Sequence, residues 1–578
     1  MALPITGTTV KQQHLDWAAA GSLLAGLPGG ALNLGHEAVD RHVAEGRGER
    51  VALTFLGRRY ERKTLTYAQL ADATSRAAQV LLDLGVQPGD TVAVLLGRTS
   101  ELYLAALGSW KAGAVFCPLF GAFGPGPLKS RLELARAKVL IATEPLYQRK
   151  IAALRGSLPD LQHVLLVGED GAAPAPHDGC ADFNALVAAA QPASIVETNA
   201  QSPAFVHFTS GTTGTPKGAL HNHGAVLSHL VTGRQVFDLT AADVYWCTAD
   251  PGWITNTAYA LVSPLVNGCM SVVDEAEFDP RRWYGVLKDE KVTVWYTTPT
   301  NIRMMMRYGA ALARIYRENS LRLAASVGEP LNPEAVAWGD KALGAPFLDT
   351  WWQTETGAIA IANLPGHAKP GSMGLPLPGV EAAVVNRNLS KIEVLTEIDA
   401  VGELALKADL PSLFTAYVGD ANRYQASFCE GWYLTGDLVR RDADGFFWFV
   451  GRSDDMIKSA GHTIGPFEIE CTLMDHPAVA EIGVVGRPDL LLREVPVAFV
   501  SLNPGFEPGE ALRLELLYFA RQELGSALAP REILFVEAMP KTTTGKILRR
   551  ALKAKALAEP EEDQPVTLAV APGRFDDE

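Results

Sequence analysis

The chain has 578 residues, a net charge of −14 at pH 7, 48% hydrophobic and 20% charged residues. Such a length predicts three or more structural units at roughly 100–200 residues per domain, and the acidic balance argues against nucleic-acid binding, which goes with a basic surplus. Six cysteines (Cys117, Cys180, Cys247, Cys269, Cys429, Cys471) stand far apart with no C-x-x-C pair, which argues against a disulfide framework or a zinc site and fits a reducing, cytoplasmic compartment.

The first residues show no basic start followed by an apolar core, so no signal peptide is expected. No apolar run is long enough to span a bilayer. Thr66 reads as an N-cap, with Leu70, Ala77, Leu81 and Leu84 following at helical spacing and Gly85 as a stop. Short apolar runs at 92–96, 139–142 and 164–167 read as buried strands, and residues 168–179 as a surface loop. Alternating α and β patterns over the first two-thirds predict an α/β fold of layered sheets with helices packed on them. Past about residue 452 the texture changes. Strands are expected at 479–485, 497–502 and 533–536, and helices at 511–524 and 545–557, enough for a small α+β domain. The Pro-rich, acidic residues from 558 onward read as a frayed tail.

The strongest local signal follows a strand-like run at 204–208. Thr209, Ser210, Gly211, Thr212, Thr213, Gly214, Thr215, Pro216, Lys217 and Gly218 form a loop whose glycines allow close backbone approach and whose hydroxyls and lysine offer donors to anionic oxygens. The spacing is not that of a Walker A loop. A polyphosphate site is one reading and a flexible turn the other.

Four further segments follow in order. Residues 349–357 run Asp349, Thr350, Trp351, Trp352, Gln353, Thr354, Glu355, Thr356, Gly357. Residues 433–437 end in Gly436 and Asp437, residues 451–455 open with Gly451 and Arg452, and residues 540–546 close on Gly545 and Lys546. Together the five segments resemble the acyl-adenylate-forming superfamily of acyl-CoA synthetases, luciferases and nonribosomal adenylation domains. The resemblance covers about residues 64–557. It implies a large N-terminal adenylation domain (1–452), a small mobile C-terminal domain (453–557) that carries a catalytic lysine, and a flexible tail (558–578).

The resemblance also implies roles. Thr209–Gly214 and Lys217 would hold phosphates. Gly328, Glu329, Pro330 and residues 349–354 would line the nucleotide pocket, with Trp351 as a flat face for adenine. Asp437 would accept ribose hydroxyls, and Arg452 would reach ribose or phosphate. Thr354 and Glu355 would hold the α-phosphate and Mg²⁺. Lys546 would bridge carboxylate and α-phosphate during adenylation. Asp454 matches the hinge, and Gly461 would let the pantetheine of coenzyme A pass.

Within the superfamily, Trp351, Trp352 and Gln353 resemble the acetyl-CoA synthetase branch, as do residues 250–255 and 295–300. Ile254, Thr255, Val327 and Trp352 would then line an acyl pocket too short for long acids. The expected substrates are ATP, CoA and acetate, giving acetyl-CoA, AMP and pyrophosphate. A propionate or other short-chain ligase, and a weakened nucleotide- or CoA-binding paralogue, are the alternatives. Departures from the family pattern are Thr463 where arginine is usual, Thr543 and Thr544 before Gly545, and Asn256 after Thr255. Arg149 and Lys150 are candidate donors to CoA phosphates. His221 and His223 are read as structural and not as a metal pair. An acetyltransferase and a deacetylase acting on Lys546 are candidate protein partners, with neither nucleic acid nor membrane expected.

Overall fold

The computed structural model describes residues 15–169, 171–209, 216–316, 320–388, 391–452, 455–459, 462–489, 492–525, 528–541 and 547–558. It divides into two compact units, Met1–Val450 and Gly451–Glu578.

Helix Tyr67–Asp83 shows how local chemistry sets an element. Thr66 accepts from the Gln69 backbone N–H while the Gln69 side chain returns to the Thr66 N–H, a closed capping box. Leu70, Ala77 and Leu81 are buried, as their spacing requires, and Leu84 caps the helix ahead of Gly85 at φ 75°.

Among its described residues the first unit holds three sheets. In one, six parallel strands lie in the order Val51–Leu56, Met270–Asp274, Val244–Cys247, Val294–Thr297, Leu323–Val327, Phe347–Trp351. Antiparallel strands Arg62–Thr66, Ile361–Ala362 and Leu375–Pro376 extend its edges. Strand Leu323–Val327 is buried at every residue, as a parallel strand covered on both faces must be. A second sheet has parallel strands Pro203–Thr209, Val115–Pro118, Thr91–Leu95, Ala137–Thr143, His163–Val167 and Cys180–Asp182, edged by antiparallel Lys217–Asn222 and Ala416–Tyr417. The runs expected at 92–96, 139–142 and 164–167 are strands here, and residues 168–179 carry no regular element among those described. The third sheet is antiparallel and includes Val401–Lys407 and Trp432–Arg441.

The second unit has its own core. Strands Val479–Asp489 and Arg493–Leu502 pair antiparallel, Glu532–Phe535 joins parallel, and helices Pro466–Met474 and Glu510–Leu524 bury Ile469, Leu473 and Leu516 against them. One expectation fails. The last helix starts at Arg549 and not at 545. Ile547 is taken by a β-bridge to Lys541, and Leu548 N–H donates to the Pro540 carbonyl at 2.8 Å, so the chain is extended there. Among the described residues no helix is long and apolar enough to cross a membrane.

Candidate active site

The carboxyl ends of parallel strands are where an open α/β sheet leaves room for ligands. Strand Phe347–Trp351 delivers Asp349, Thr350 and Trp351 to such an end, and Trp352, Gln353, Thr354 and Glu355 follow directly. Strand Leu323–Val327 places Val327 beside Thr350 in register and is followed by Gly328, Glu329 and Pro330.

Asp437 sits on strand Trp432–Arg441 and is buried. Its Oδ2 accepts from Trp351 Nε1 at 2.9 Å and from Gln353 Nε2 at 2.9 Å. Gln353 Nε2 also donates to the Thr435 carbonyl at 2.9 Å, while Tyr433 O–H donates to Gln353 Oε1 at 2.8 Å. Gly436 turns the strand at φ 72°, which a glycine tolerates best, and its N–H donates to Glu403 Oε1 at 2.8 Å. The residues assigned to adenine and ribose are thus joined in one network.

Asp349 holds the residue that follows the Gly328–Pro330 segment. Its oxygens accept from Leu331 N–H at 3.2 Å and Thr350 N–H at 3.0 Å. Burial outweighs those bonds and pushes the carboxyl up to about 8. Glu329 faces helix Pro299–Arg307, accepting from Thr300 Oγ1 at 2.8 Å and pairing with Arg303 at 2.5 Å. It therefore anchors the segment, while Gly328, at φ 99°, has open space where a Cβ would lie.

Glu355 Oε1 accepts from Tyr417 O–H at 2.7 Å. Lys217 Nζ stands 6.0 Å over the same tyrosine ring. A cavity of about 260 Å³ adjoins them, lined in part by Pro216, Lys217, Tyr417 and Arg423. The end of the expected phosphate loop and the expected metal ligand therefore meet around Tyr417. Thr209 ends strand Pro203–Thr209. Ser210, Gly211, Thr212, Thr213 and Gly214 lie outside the described residues, as do Asp454, Gly461, Thr543, Thr544 and Lys546.

Of the expected acyl pocket, Ile254, Val327 and Trp352 are buried and Thr255 is half-buried. The Trp352 ring meets the Tyr259 ring edge-on, 5.1 Å between centroids. Tyr259 lies in the π-helical turn Thr257–Val262 that directly follows segment Ile254–Asn256.

Behind the 353–357 loop lie buried imidazoles. His221 Nδ1 is 2.9 Å from the Ser412 carbonyl and its ring stacks on Phe205 at 4.8 Å, while His223 Nδ1 accepts from Leu34 N–H at 2.9 Å. The two rings have separate structural partners, and no group of three or more metal-ligating side chains occurs among the described residues. His229 Nε2 lies 2.9 Å from the Gly357 carbonyl, and Ser412 Oγ donates to the Thr356 carbonyl at 2.7 Å. Burial lowers His207 and His223 to about 3, and His221 and His229 to about 4, so all four are neutral near pH 7.

In the second unit, Arg452 ends strand Phe447–Arg452. Thr463 pairs with Lys458 in the hairpin of Ile457–Ser459 and His462–Ile464. Arg549 donates to Glu470 Oε2 at 2.8 Å and to the Val484 carbonyl at 2.8 Å, which fixes the chain three residues after Lys546. Lys150 is held by the Phe123 carbonyl at 2.9 Å and Arg149 by the Pro145 carbonyl at 3.1 Å, contacts that serve the local fold.

Sequence reasoning did not single out Tyr259, Tyr296, Tyr417 or Glu403. Tyr296 lies inside segment 295–300, but nothing local marks which hydroxyl of that segment meets Trp352.

Residues 40–418 match the family described as AMP-binding enzyme, and residues 468–546 match the AMP-binding enzyme C-terminal domain. The chain is 42% identical to the acetyl-coenzyme A synthetase of Bacillus subtilis over 557 residues, covering 95% of each protein. It superposes on an acyl-CoA synthetase of Brucella canis with a TM-score of 0.72 at 35% identity, over 94% of this chain and 97% of that one. It superposes on an anthranilate CoA ligase in complex with anthranoyl-AMP with a TM-score of 0.82 at 28% identity, over 93% and 99%. With both family regions present in order and relatives matched almost end to end, the chain belongs to the AMP-binding enzymes, within the acyl-adenylate-forming superfamily.

Proposed function

We propose that this protein is an AMP-forming acetate–CoA ligase, converting acetate, ATP and CoA to acetyl-CoA, AMP and pyrophosphate through an acetyl-adenylate. The observation that carries this reading is Trp352, a buried indole against the Tyr259 ring, in a chain matched over 95% of its length by an acetyl-coenzyme A synthetase. In this reading the bulk of the indole closes the acyl pocket to acids longer than two or three carbons.

In this reading the acetate carboxylate attacks the α-phosphorus of ATP in line, the bond to the bridging oxygen breaks, and pyrophosphate leaves. The CoA thiol, losing its proton, then attacks the carbonyl of the adenylate and displaces AMP. Most of the rate comes from positioning and charge stabilisation. Asp437, oriented by Trp351 and Gln353, receives the ribose hydroxyls, assisted by Arg452. Thr209–Gly214 and Lys217 hold the phosphates, Thr354 the α-phosphate, and Lys546 offsets the repulsion between carboxylate and phosphate. Glu355 suits Mg²⁺, an ion that commonly takes one or two carboxylates plus substrate phosphates. When bound, the ion would neutralise phosphate charge.

The proposal extends to the C-terminal domain. Rotation at Asp454 would withdraw Lys546 after adenylation and bring Gly461 to the pantetheine channel. Lys546 would be a target for reversible acetylation by a protein acetyltransferase and a deacetylase, in the cytoplasm. The test of the reaction is acid-dependent ATP–pyrophosphate exchange with C2 to C8 acids, followed by thioester formation with CoA. Acetate is expected to lead and propionate to follow; a hexanoate optimum overturns the pocket, and exchange without thioester formation overturns the ligase.

A further inference from the structure

The wall assigned to the acyl pocket is itself held from behind. An indole N–H can only donate, and Trp352 Nε1 lies 3.1 Å from the Tyr296 hydroxyl oxygen. That hydroxyl also lies 2.7 Å from Thr350 Oγ1. Thr350 Oγ1 donates in turn to the Ser326 carbonyl at 2.7 Å, which can only accept. The direction of every proton in the relay follows: Trp352 to Tyr296, Tyr296 to Thr350, Thr350 to Ser326. Tyr296, Thr350 and Ser326 are buried and stand on three adjacent strands, Val294–Thr297, Phe347–Trp351 and Leu323–Val327. The relay ends one residue before Val327, another expected pocket residue.

The indole is braced from the side as well. Tyr259 meets it at an interplanar angle of 72°. The Tyr259 oxygen accepts from Ile359 N–H at 2.7 Å and lies 2.8 Å from Thr232 Oγ1. Thr232 Oγ1 already donates to the Ser228 carbonyl at 2.7 Å, so Tyr259 is the donor to it. Ring and relay leave the Trp352 side chain one comfortable orientation.

We infer that Tyr296 is a specificity-determining positioning residue, whose hydroxyl latches Trp352 across the acyl pocket and so sets the chain length of the acid. The inference rests on the reading of Trp352 as the pocket's end wall. Without the phenolic oxygen the indole N–H has no acceptor in a buried place, and an unsatisfied buried donor favours any rotamer that finds a partner. Rotation of the ring opens space for further methylenes.

The experiment measures kcat/KM for acetate, propionate and butyrate with wild type, Tyr296→Phe, Trp352→Gly and Trp352→Phe, alone and combined. A single methylene is worth roughly 10–200-fold in discrimination. Tyr296→Phe is expected to lower the acetate-to-propionate ratio about tenfold and to raise butyrate use. A purely structural role would lower melting temperature and all three rates together, leaving the ratio unchanged, and that result overturns the latch. Trp352→Phe has no N–H to latch, so adding Tyr296→Phe to it should not move the ratio further; an equal second shift also overturns the latch. Should Tyr296→Phe fail to fold, Thr350→Val breaks the relay one bond along and must move the ratio in the same direction. If Trp352→Gly itself leaves selectivity unchanged, the pocket reading fails, an outcome distinct from a Trp352→Gly that broadens while Tyr296→Phe does not.

Discussion

Trp351 donates its indole N–H to Asp437 Oδ2 at 2.9 Å, across 86 residues of sequence. The bond joins the strand end assigned to adenine with the carboxylate assigned to ribose. Trp351→Phe keeps a flat ring and deletes the donor. Hydrogen bonds to charged groups contribute about 1.5–3 kcal/mol. With Gln353 still bonded to the same oxygen, the expected result is a rise in KM for ATP of roughly tenfold, at the low end of that range. The KM for acetate should stay within about twofold, the ordinary scatter of a change remote from the acid. Steady-state kinetics with each substrate varied in turn checks this.

Trp352→Gly should convert a short-acid site into one for longer acids. Each additional buried methylene contributes roughly 0.8 kcal/mol, about fourfold in affinity. Binding of butyrate, valerate and hexanoate should therefore improve stepwise until the vacated indole volume is filled. Pyrophosphate exchange across the acid series reads this directly, and a flat series would place the acyl wall elsewhere.

Lys546→Ala should separate the two half-reactions. Removing one preorganised cation from a developing negative charge commonly costs on the order of 10²–10³ in rate. Acetate-dependent pyrophosphate exchange should fall by that amount. Conversion of supplied acetyl-adenylate and CoA to acetyl-CoA should stay near normal, because the proposed rotation at Asp454 has withdrawn the side chain by then. Equal losses in both assays would sink the division of labour. Acetylation of the same amine removes the charge and should mimic the variant.

The resemblance to the superfamily puts Thr463 at a position expected to carry arginine. If the position still faces the phosphates, Thr463→Arg should raise the adenylation rate or tighten pyrophosphate binding. Burst kinetics of adenylate formation and product inhibition by pyrophosphate would both be measured. No change in either means that the charge is not needed at this position.

The buried histidines predict acid sensitivity. His207, His221, His223 and His229 have folded-state values of about 3 to 4, below the ordinary 6.5 of an exposed imidazole. Between those limits the unfolded chain binds more protons than the folded one. Their contribution to stability is therefore fully present above pH 6.5 and is lost as pH falls towards 4. Four such groups together give a slope of roughly 5 kcal/mol per pH unit within that window. Melting temperature should fall steeply below about pH 6. Replacing His223, whose Nδ1 accepts from Leu34 N–H, by Gln should reduce the slope by one proton; an unchanged slope would mean that His223 is not neutral in the fold.

Elements whose physics is local were legible in the chain. Thr66, Gln69 and the spacing of Leu70, Ala77 and Leu81 are enough for helix Tyr67–Asp83 and its capping box, because every interaction involved lies within a few residues. Five motif segments likewise carried the family, since loop glycines, hydroxyls and charged ends act where they stand in the chain. The last helix shows the limit. Its residues favour a helix from 545, yet the pairing of Ile547 with Lys541 delays it to Arg549. Tertiary structure alone decided the partners. Tyr417 reaches Glu355 across 62 residues, and Tyr296 reaches Trp352 across 56. Strand order in the parallel sheet brings Tyr296 to Trp352, and the meeting of two different sheets brings Tyr417 to Glu355, so no local pattern distinguishes Tyr296 from any other buried tyrosine. Residue types named the chemistry; the order of strands Val294–Thr297, Leu323–Val327 and Phe347–Trp351 decided which hydroxyl meets the Trp352 indole N–H.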